Sequence, residues 1–297
     1  MPRKPHVERY ASFAEHPDSG NPAGVVLHAQ DLGADEMQDI AAEVGYSETA
    51  FVTSALDAGA PLTVRYFAPE GEVDFCGHAT VALAAALGRE LGFGAFDLHT
   101  NVGPVPVSAE QRGQFIIGSL QSPPISSTPI DGALLDTLLG LLGWSAADLD
   151  PAYPPAIGFG GNQHPVLVAR DVARLADLDY DFDALRQLSR AENWITVQLV
   201  APTGPSEWRS RNPFPWGGVV EDPATGAAAA AFAGYLRAVG HVATGDRFTI
   251  VQGVEMGRTS RIEVEVLDGT ARVSGPVAVI GDEVGPSTSS GTGRPGH

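Results

Sequence analysis

Asp74-Phe75-Cys76-Gly77-His78-Ala79-Thr80-Val81-Ala82-Leu83-Ala84-Ala85-Ala86-Leu87-Gly88-Arg89-Glu90-Leu91-Gly92 is the stretch on which the fold turns. From about His78 to Leu91 it has the composition of a helix, and Gly92 stops it. Ala, Leu and Val lie on nearly every face of that helix, which is the pattern of a buried helix and not of an amphipathic surface one. Alanine side chains let neighbouring backbone approach, so strands wrapped around such a helix make a small barrel. A second alanine-rich helix is predicted from Asp222 to Gly240. Asp74 and Asp222 are 148 positions apart, and so are Gly92 and Gly240.

Working outward, the segments around the two helices follow one order. Val7–Phe13 reads as a strand, then come the loop Gly20-Asn21-Pro22, the apolar run Gly24–Leu27, a helix from Asp35 to Val44 ended by Gly45, and strands over Thr49–Thr53 and Leu62–Phe67. Further along, Gly161-Asn162-Gln163-His164-Pro165 and Val166-Leu167-Val168 repeat the loop and apolar run, followed by a helix over Asp181–Arg190 and a strand over Trp194–Val200. The recurrence predicts a duplicated α+β architecture, two pseudo-symmetric halves each with a small barrel-like sheet around a central buried helix. The Pro/Ser-rich segment Gln121–Ser127 is the expected linker. It divides the chain into 1–123 and 124–284, with a last strand able to pack on the first half. Residues 285–297, rich in Gly, Ser, Thr and Pro, read as a disordered tail. The active site is expected in the cleft between the halves, where the N-termini of both central helices face each other.

Composition narrows the function. The 297 residues carry 36 acidic and 18 basic side chains, a formal charge of −18, which repels nucleic acid and anionic membranes. No basic patch is interleaved with aromatics, and no apolar run approaches the ~20 residues that span a bilayer. The N-terminal residues lack the apolar core of a signal peptide, so the expected location is cytoplasmic. Cys76 is the sole cysteine, which excludes an intrachain disulfide, and the eight histidines show no ligand spacing, so no metal is implied. Gly158-Phe159-Gly160-Gly161 looks like a dinucleotide loop but lacks the flanking βαβ pattern, so no cofactor is implied either.

Three polar side chains sit where chemistry is expected. Glu48 stands at the entrance to the apolar strand Thr49-Ala50-Phe51-Val52, where a partly desolvated carboxyl suits proton transfer; an ordinary exposed Glu at a strand start has the same sequence. His78 opens the first buried helix, where the helix dipole favours a neutral imidazole, or it simply caps and packs the turn. Asp222, before Pro223-Ala224-Thr225-Gly226, is a strong N-cap with proline at the first helical position, a role compatible with facing the cleft. The backbone N–H groups of Cys76-Gly77-His78 and of Thr225-Gly226-Ala227 offer two anion sites, one of which would hold a substrate carboxylate. Of the four tryptophans, Trp216 is the one placed near a ring-shaped substrate.

Four motifs occur together: Gly20-Asn21-Pro22-Ala23-Gly24-Val25, Ser47-Glu48-Thr49-Ala50-Phe51-Val52, Arg65–Pro69 running into Asp74–Thr80, and Glu221-Asp222-Pro223-Ala224-Thr225-Gly226-Ala227-Ala228. In order and rough spacing the chain resembles the PhzF-like phenazine-biosynthesis family of the diaminopimelate epimerase-like superfamily, from about Val7 to Gly285. The resemblance implies that Glu48 shuttles a proton, that His78 is catalytic or orienting, and that Asp222 lines the site opposite the Glu. Asn21, Cys76, Gly77, Thr225, Gly226, Ala227 and Trp216 are then the expected substrate-binding set. Two departures matter. The superfamily's racemases face two cysteines across the cleft, whereas here only Cys76 is present, which excludes the two-thiol mechanism. Ala227 stands where phenazine-pathway members usually carry Ser, which bears on the substrate more than on the fold.

The function implied is a cofactor-independent isomerase moving a proton and a double bond in a small carboxylate-bearing metabolite, dihydro-hydroxyanthranilate being the family's example. The alternative is a non-catalytic small-molecule or protein-binding member of the same scaffold. The family often forms homodimers, so a homodimer is an expectation as well.

Overall fold

In a computed structural model of the chain, residues 5–57 and 59–281 are described; the expected tail lies outside them. The first half contributes strands β1 (Glu8–Ser12), β2 (Asn21–Val26), β3 (Thr49–Val52), β4 (Leu62–Ala68), β5 (Gly71–Val73), β6 (Gly94–Thr100), β7 (Gly103–Arg112) and β8 (Phe115–Gln121). Its helices are α1 (Ala34–Val44) and α2 (Gly77–Leu91). The remainder adds β9 (Ser126–Pro129), α3 (Gly132–Leu141), β10 (Ala156–Phe159), β11 (Gln163–Val168), α4 (Val172–Ala176) and α5 (Phe182–Ala191). It finishes with β12 (Gln198–Gly204), β13 (Glu207–Arg211), α6 (Gly226–Ala238), β14 (Arg247–Gln252), β15 (Ser260–Val266) and β16 (Ala271–Ile280). The fold class is α+β, as the sequence predicts.

Strand pairing exposes the repeat. Along β1-β2-β3-β4-β6-β7-β8 the pairs run antiparallel, parallel, antiparallel, parallel, antiparallel, antiparallel. Along β10-β11-β12-β13-β14-β15-β16 the same order recurs. Parallel neighbours need a crossover, and in both series helical segments supply it: α1 and α2 in the first, α4–α5 and α6 in the second. The last strand belongs to both sheets. β16 pairs with β15 on one edge and with β8 and β1 in the first half, closing an eight-stranded barrel around α2. The segment expected as a linker is shorter than predicted, because Gln121 ends β8 and Ser126-Ser127 already lie in β9.

The two alanine-rich helices fill their sheets because alanine and glycine let backbone meet backbone. Ala79 to Leu87 of α2 and Ala228 to Leu236 of α6 are buried almost without interruption. Gly118 on β8 faces α2 so closely that an added Cβ would lie 2.4 Å from the Val81 carbonyl oxygen. At the loop after β10, a Cβ on Gly160 would lie 2.5 Å from Ala231 N of α6. Gly118→Ala is therefore expected to destabilise the protein by about 1–3 kcal/mol through overpacking, read as a lower urea midpoint with an unchanged m-value.

The outer faces are covered by amphipathic helices. Met37, Ile40 and Ala41 of α1 pack on Val26, Phe51 and Phe67. Over the second sheet, Leu138 and Leu139 of α3, Leu175 of α4 and Leu185 of α5 enclose Leu167, Leu199, Trp144 and Trp194. The strand expected from Trp194 starts later, at Gln198, since Asn193 adopts a left-handed φ of 56° and Trp194 turns into this outer core as a corner residue. The predicted helix start at Asp222 is also corrected: α6 begins at Gly226 with Thr225 at the N-cap, so Asp222 caps nothing and Pro223 is not its first residue. No helix among the described residues is long and apolar enough to cross a membrane.

Candidate active site

Where the two central helices begin, their N-termini meet. A Cβ on Gly77 would lie 4.0 Å from both Ala227 N and Gly226 Cα. In α2 the first helical bond is Thr80 N to Cys76 O, and in α6 it is Ala229 N to Thr225 O. The N–H groups of Gly77 and His78, and of Gly226, Ala227 and Ala228, therefore precede any intrahelical acceptor and face one junction with the positive ends of both dipoles, while Ala79 N–H bonds to the Cys76 sulfur.

On the first-half side, α1 ends at Gly45, whose left-handed φ of 70° turns the chain through Tyr46-Ser47 to Glu48. The Glu48 carbonyl accepts from Gly24 N at 3.2 Å, which pins it to β2 just before β3 begins. Cys76 Sγ donates to Glu48 Oε2 at 3.3 Å and lies 3.3 Å from His78 Nδ1. His78 Nε2 lies 3.4 Å from the same Glu48 oxygen and 3.2 Å from Ser47 Oγ. Burial, reinforced by the neighbouring Glu48 charge, pushes the Cys76 thiol well above its usual range, so it stays S–H and can donate. With the thiol proton given to Glu48, Nδ1–H donates to sulfur and Nε2 is left facing the carboxylate. Ser12 Oγ donates to the His78 carbonyl at 2.7 Å and fixes the helix start.

On the second-half side, Asp222 is held by hydrogen bonds in place of the capping role. Asn21 Nδ2 donates to Oδ1 at 2.8 Å and Thr225 Oγ1 to Oδ2 at 2.6 Å. Asn21 belongs to β2, so this bond ties the first half to the second. Burial raises the Asp222 pKa to about 6, opposed by His78 and the Thr225 hydroxyl, reinforced by Glu48, and opposed again by Asn21. One carboxyl set against a thiol and an imidazole thus faces another whose proton affinity burial raises toward neutral pH, an arrangement suited to proton transfer.

The structure brings Glu48, Cys76, Gly77, His78, Asn21, Asp222, Thr225, Gly226 and Ala227 to this junction. Trp216 it places differently: on a short 3-10 turn (Pro215–Gly217) packed against α5, partly buried, in the loop that returns to Asp222. Sequence reading passed over Ser12 and Gln252, which no short motif marks, and gave no role to Ser47, although it opens the motif that carries Glu48. Histidine spacing also gave no sign of a donor cluster. Glu48, Cys76 and His78 have ligand atoms within 4.8 Å of one another, the set that could hold a metal ion among the described residues. The contacts they make are those of a hydrogen-bonded cluster.

A family model described as phenazine biosynthesis-like protein matches residues 10–284. The chain is similar to the trans-2,3-dihydro-3-hydroxyanthranilate isomerase of Pseudomonas chlororaphis, 34% identical over 249 residues that cover 84% of this chain and 86% of the relative. An uncharacterized isomerase of Bacillus subtilis is 30% identical, covering 91% and 94%. Among solved structures, a phenazine biosynthesis protein of the PhzF family from Bacillus anthracis superposes with a TM-score of 0.81 at 25% identity, covering 93% and 96%. A hydroxyproline epimerase from Agrobacterium vitis shares the fold, with a TM-score of 0.61 at 14% identity, covering 93% and 90%.

Proposed function

Since the chain belongs to the phenazine biosynthesis-like family, we propose that it is an isomerase acting on a small carboxylate-bearing metabolite of the trans-2,3-dihydro-3-hydroxyanthranilate type, without a cofactor. The observation that carries this reading is the opposition of the Glu48–His78 pair and Asp222 at the meeting of two helix N-termini. The substrate carboxylate sits against the unpaired N–H groups, which supply the local positive potential that a chain of formal charge −18 lacks elsewhere. Glu48 Oε2 takes a proton from an activated C–H. The C–H electron pair moves into a new double bond, the old double bond opens, and the same proton returns from Glu48 to the far carbon. Substrate and product have identical atoms, and Glu48 ends as it began.

His78 and the Cys76 thiol hold the Glu48 carboxylate in place while it changes charge. Asp222 and Asn21 face the substrate from the other side. Ala227 presents only a methyl group where relatives with Ser would offer a hydroxyl, so the substrate makes no side-chain hydrogen bond at that point. The binding-protein alternative gives no account of a carboxyl kept protonatable near neutrality.

Incubation with trans-2,3-dihydro-3-hydroxyanthranilate and related cyclic and amino-acid carboxylates in deuterium oxide, followed by mass spectrometry, tests the reading. Isomerisation or label uptake that disappears in Glu48→Gln is expected. Binding across the panel without either would replace the isomerase by a binding protein.

A further inference from the structure

Gln252 ends β14, thirty residues beyond Asp222, and is 1% exposed. Strand β14 runs parallel to β13 with Ser210 opposite Gln252, and two residues after Ser210 the Asn212 carbonyl accepts from Asp222 N at 3.1 Å. The sheet therefore delivers Gln252 to the underside of the turn Asp222-Pro223-Ala224-Thr225. Its amide Nε2 donates to the Asp222 carbonyl at 2.7 Å and to Thr225 Oγ1 at 3.0 Å, while Oε1 accepts from Thr225 N at 3.3 Å. The orientation of the amide is settled by its partners: a carbonyl can only accept and a backbone N–H can only donate.

That orientation has a consequence one bond further on. Thr225 Oγ1 accepts a hydrogen bond from Gln252 Nε2, so its own single proton is free to point at Asp222 Oδ2, 2.6 Å away. We propose that Gln252 is a positioning residue for the isomerase: it fixes the Thr225 hydroxyl as a donor to Asp222 and thereby sets the pH at which Asp222 passes between acid and carboxylate. The role rests on the reading of Asp222 as a proton-handling group of the site. The other groups facing that carboxylate are Asn21 from β2, Glu48 and His78 from the first barrel, and Cys76, for which Asp222 is in turn a nearby charge. Glu221 next door is neutralised by its ion pair with Arg211. Among the contacts to the Asp222 carboxylate, the Thr225 hydroxyl is the one whose direction is held by a residue from another strand.

The test is a carbon-13 NMR pH titration of the aspartate carboxyls in the free protein, with the Asp222 signal assigned by its loss in Asp222→Asn. A hydrogen bond to a charged group is worth enough to move a titration midpoint by about one pH unit. Gln252→Met is expected to raise the Asp222 midpoint by about half to one unit. Thr225→Val should raise it by at least as much, and the double variant by no more than Thr225→Val alone. Gln252→Glu, of equal length and unable to donate when ionised, should raise it further than Met, which keeps the idea testable should Met at this buried position unfold the protein. A Gln252→Met midpoint equal to wild type, or full additivity with Thr225→Val, would overturn the proposal. The readout needs no turnover, so a failed isomerase assay and a failed role for Gln252 are told apart.

Discussion

Turnover of the Glu48→Gln enzyme should fall about 10²- to 10⁴-fold, the range general acid–base catalysis supplies, with the loss in kcat and KM within a few-fold. The substitution is nearly isosteric. With its amide oxygen in the Oε2 position, the side chain still accepts from the Cys76 thiol and lies beside His78 Nε2. What it cannot do is take up a proton and give it back. Binding, assigned by the proposal to the helix N-termini and to Asn21, Asp222 and Thr225, should be left in place. Asp222→Asn is expected to behave otherwise. It keeps the acceptor for Thr225 but breaks the bond pattern to Asn21 unless the amide turns, so KM and kcat change together. Steady-state kinetics of both variants, with circular dichroism to confirm the fold, separate the two. A Glu48→Gln enzyme retaining more than about a tenth of wild-type kcat would remove Glu48 from the proton path.

The central helices were legible because burial on every face leaves an unmistakable composition, and Gly92 marks the end of the first. The duplication was legible from the order of segments. The strands of 94–121 and 247–280 were not read, although their alternation of buried and exposed residues is a strand pattern; what local pattern does not carry is the pairing of β16 with strands more than 150 residues earlier. The sharing of β16 between two sheets depends on register with β8 and β1, which no local pattern encodes. At the site, Glu48, His78 and Asp222 could be picked out because each adjoins a turn or a helix start. The role given to Asp222 as a cap failed for a reason of competition: Thr225 takes the N-cap, and the carboxylate is worth more to Asn21 and Thr225 across the cleft. Ser12 and Gln252 reach the site through sheet pairing alone, so their identity as serine and glutamine carried no signal.

Two buried titrations in the second half oppose each other, and a pH series should separate them. His164 is fully buried at the head of β11, with Nδ1 2.9 Å from Thr196 Oγ1, and burial pushes its pKa down from 6.5 to about 4. Between those values the unfolded chain binds a proton that the folded chain refuses. Stability from this group is complete above pH 6.5 and is lost as the pH falls through about 4. Asp222 runs the other way. Its pKa is raised from 3.8 to about 6, so the folded chain binds the extra proton, and stability from this group is complete below pH 3.8 and is lost as the pH rises through about 6. Each effect is worth about 3 kcal/mol, and over the shared window they nearly cancel in the wild type. Asp222→Asn should therefore lose about 3 kcal/mol relative to wild type between pH 7 and pH 4, with His164 no longer offset. His164→Asn should gain about as much over the same interval. Urea denaturation at half-unit steps reads both, and taking each variant against wild type removes the carboxylates Glu72 and Glu265, whose ion pairs with Arg65, and with Arg247 and Arg272, lower their pKa values. Parallel curves for all three proteins would mean that neither group is held away from its ordinary value. Diverging curves would place the stability cost of an ionised Asp222 at neutral pH, where a site that handles protons has use for a carboxyl not fully committed to its charge.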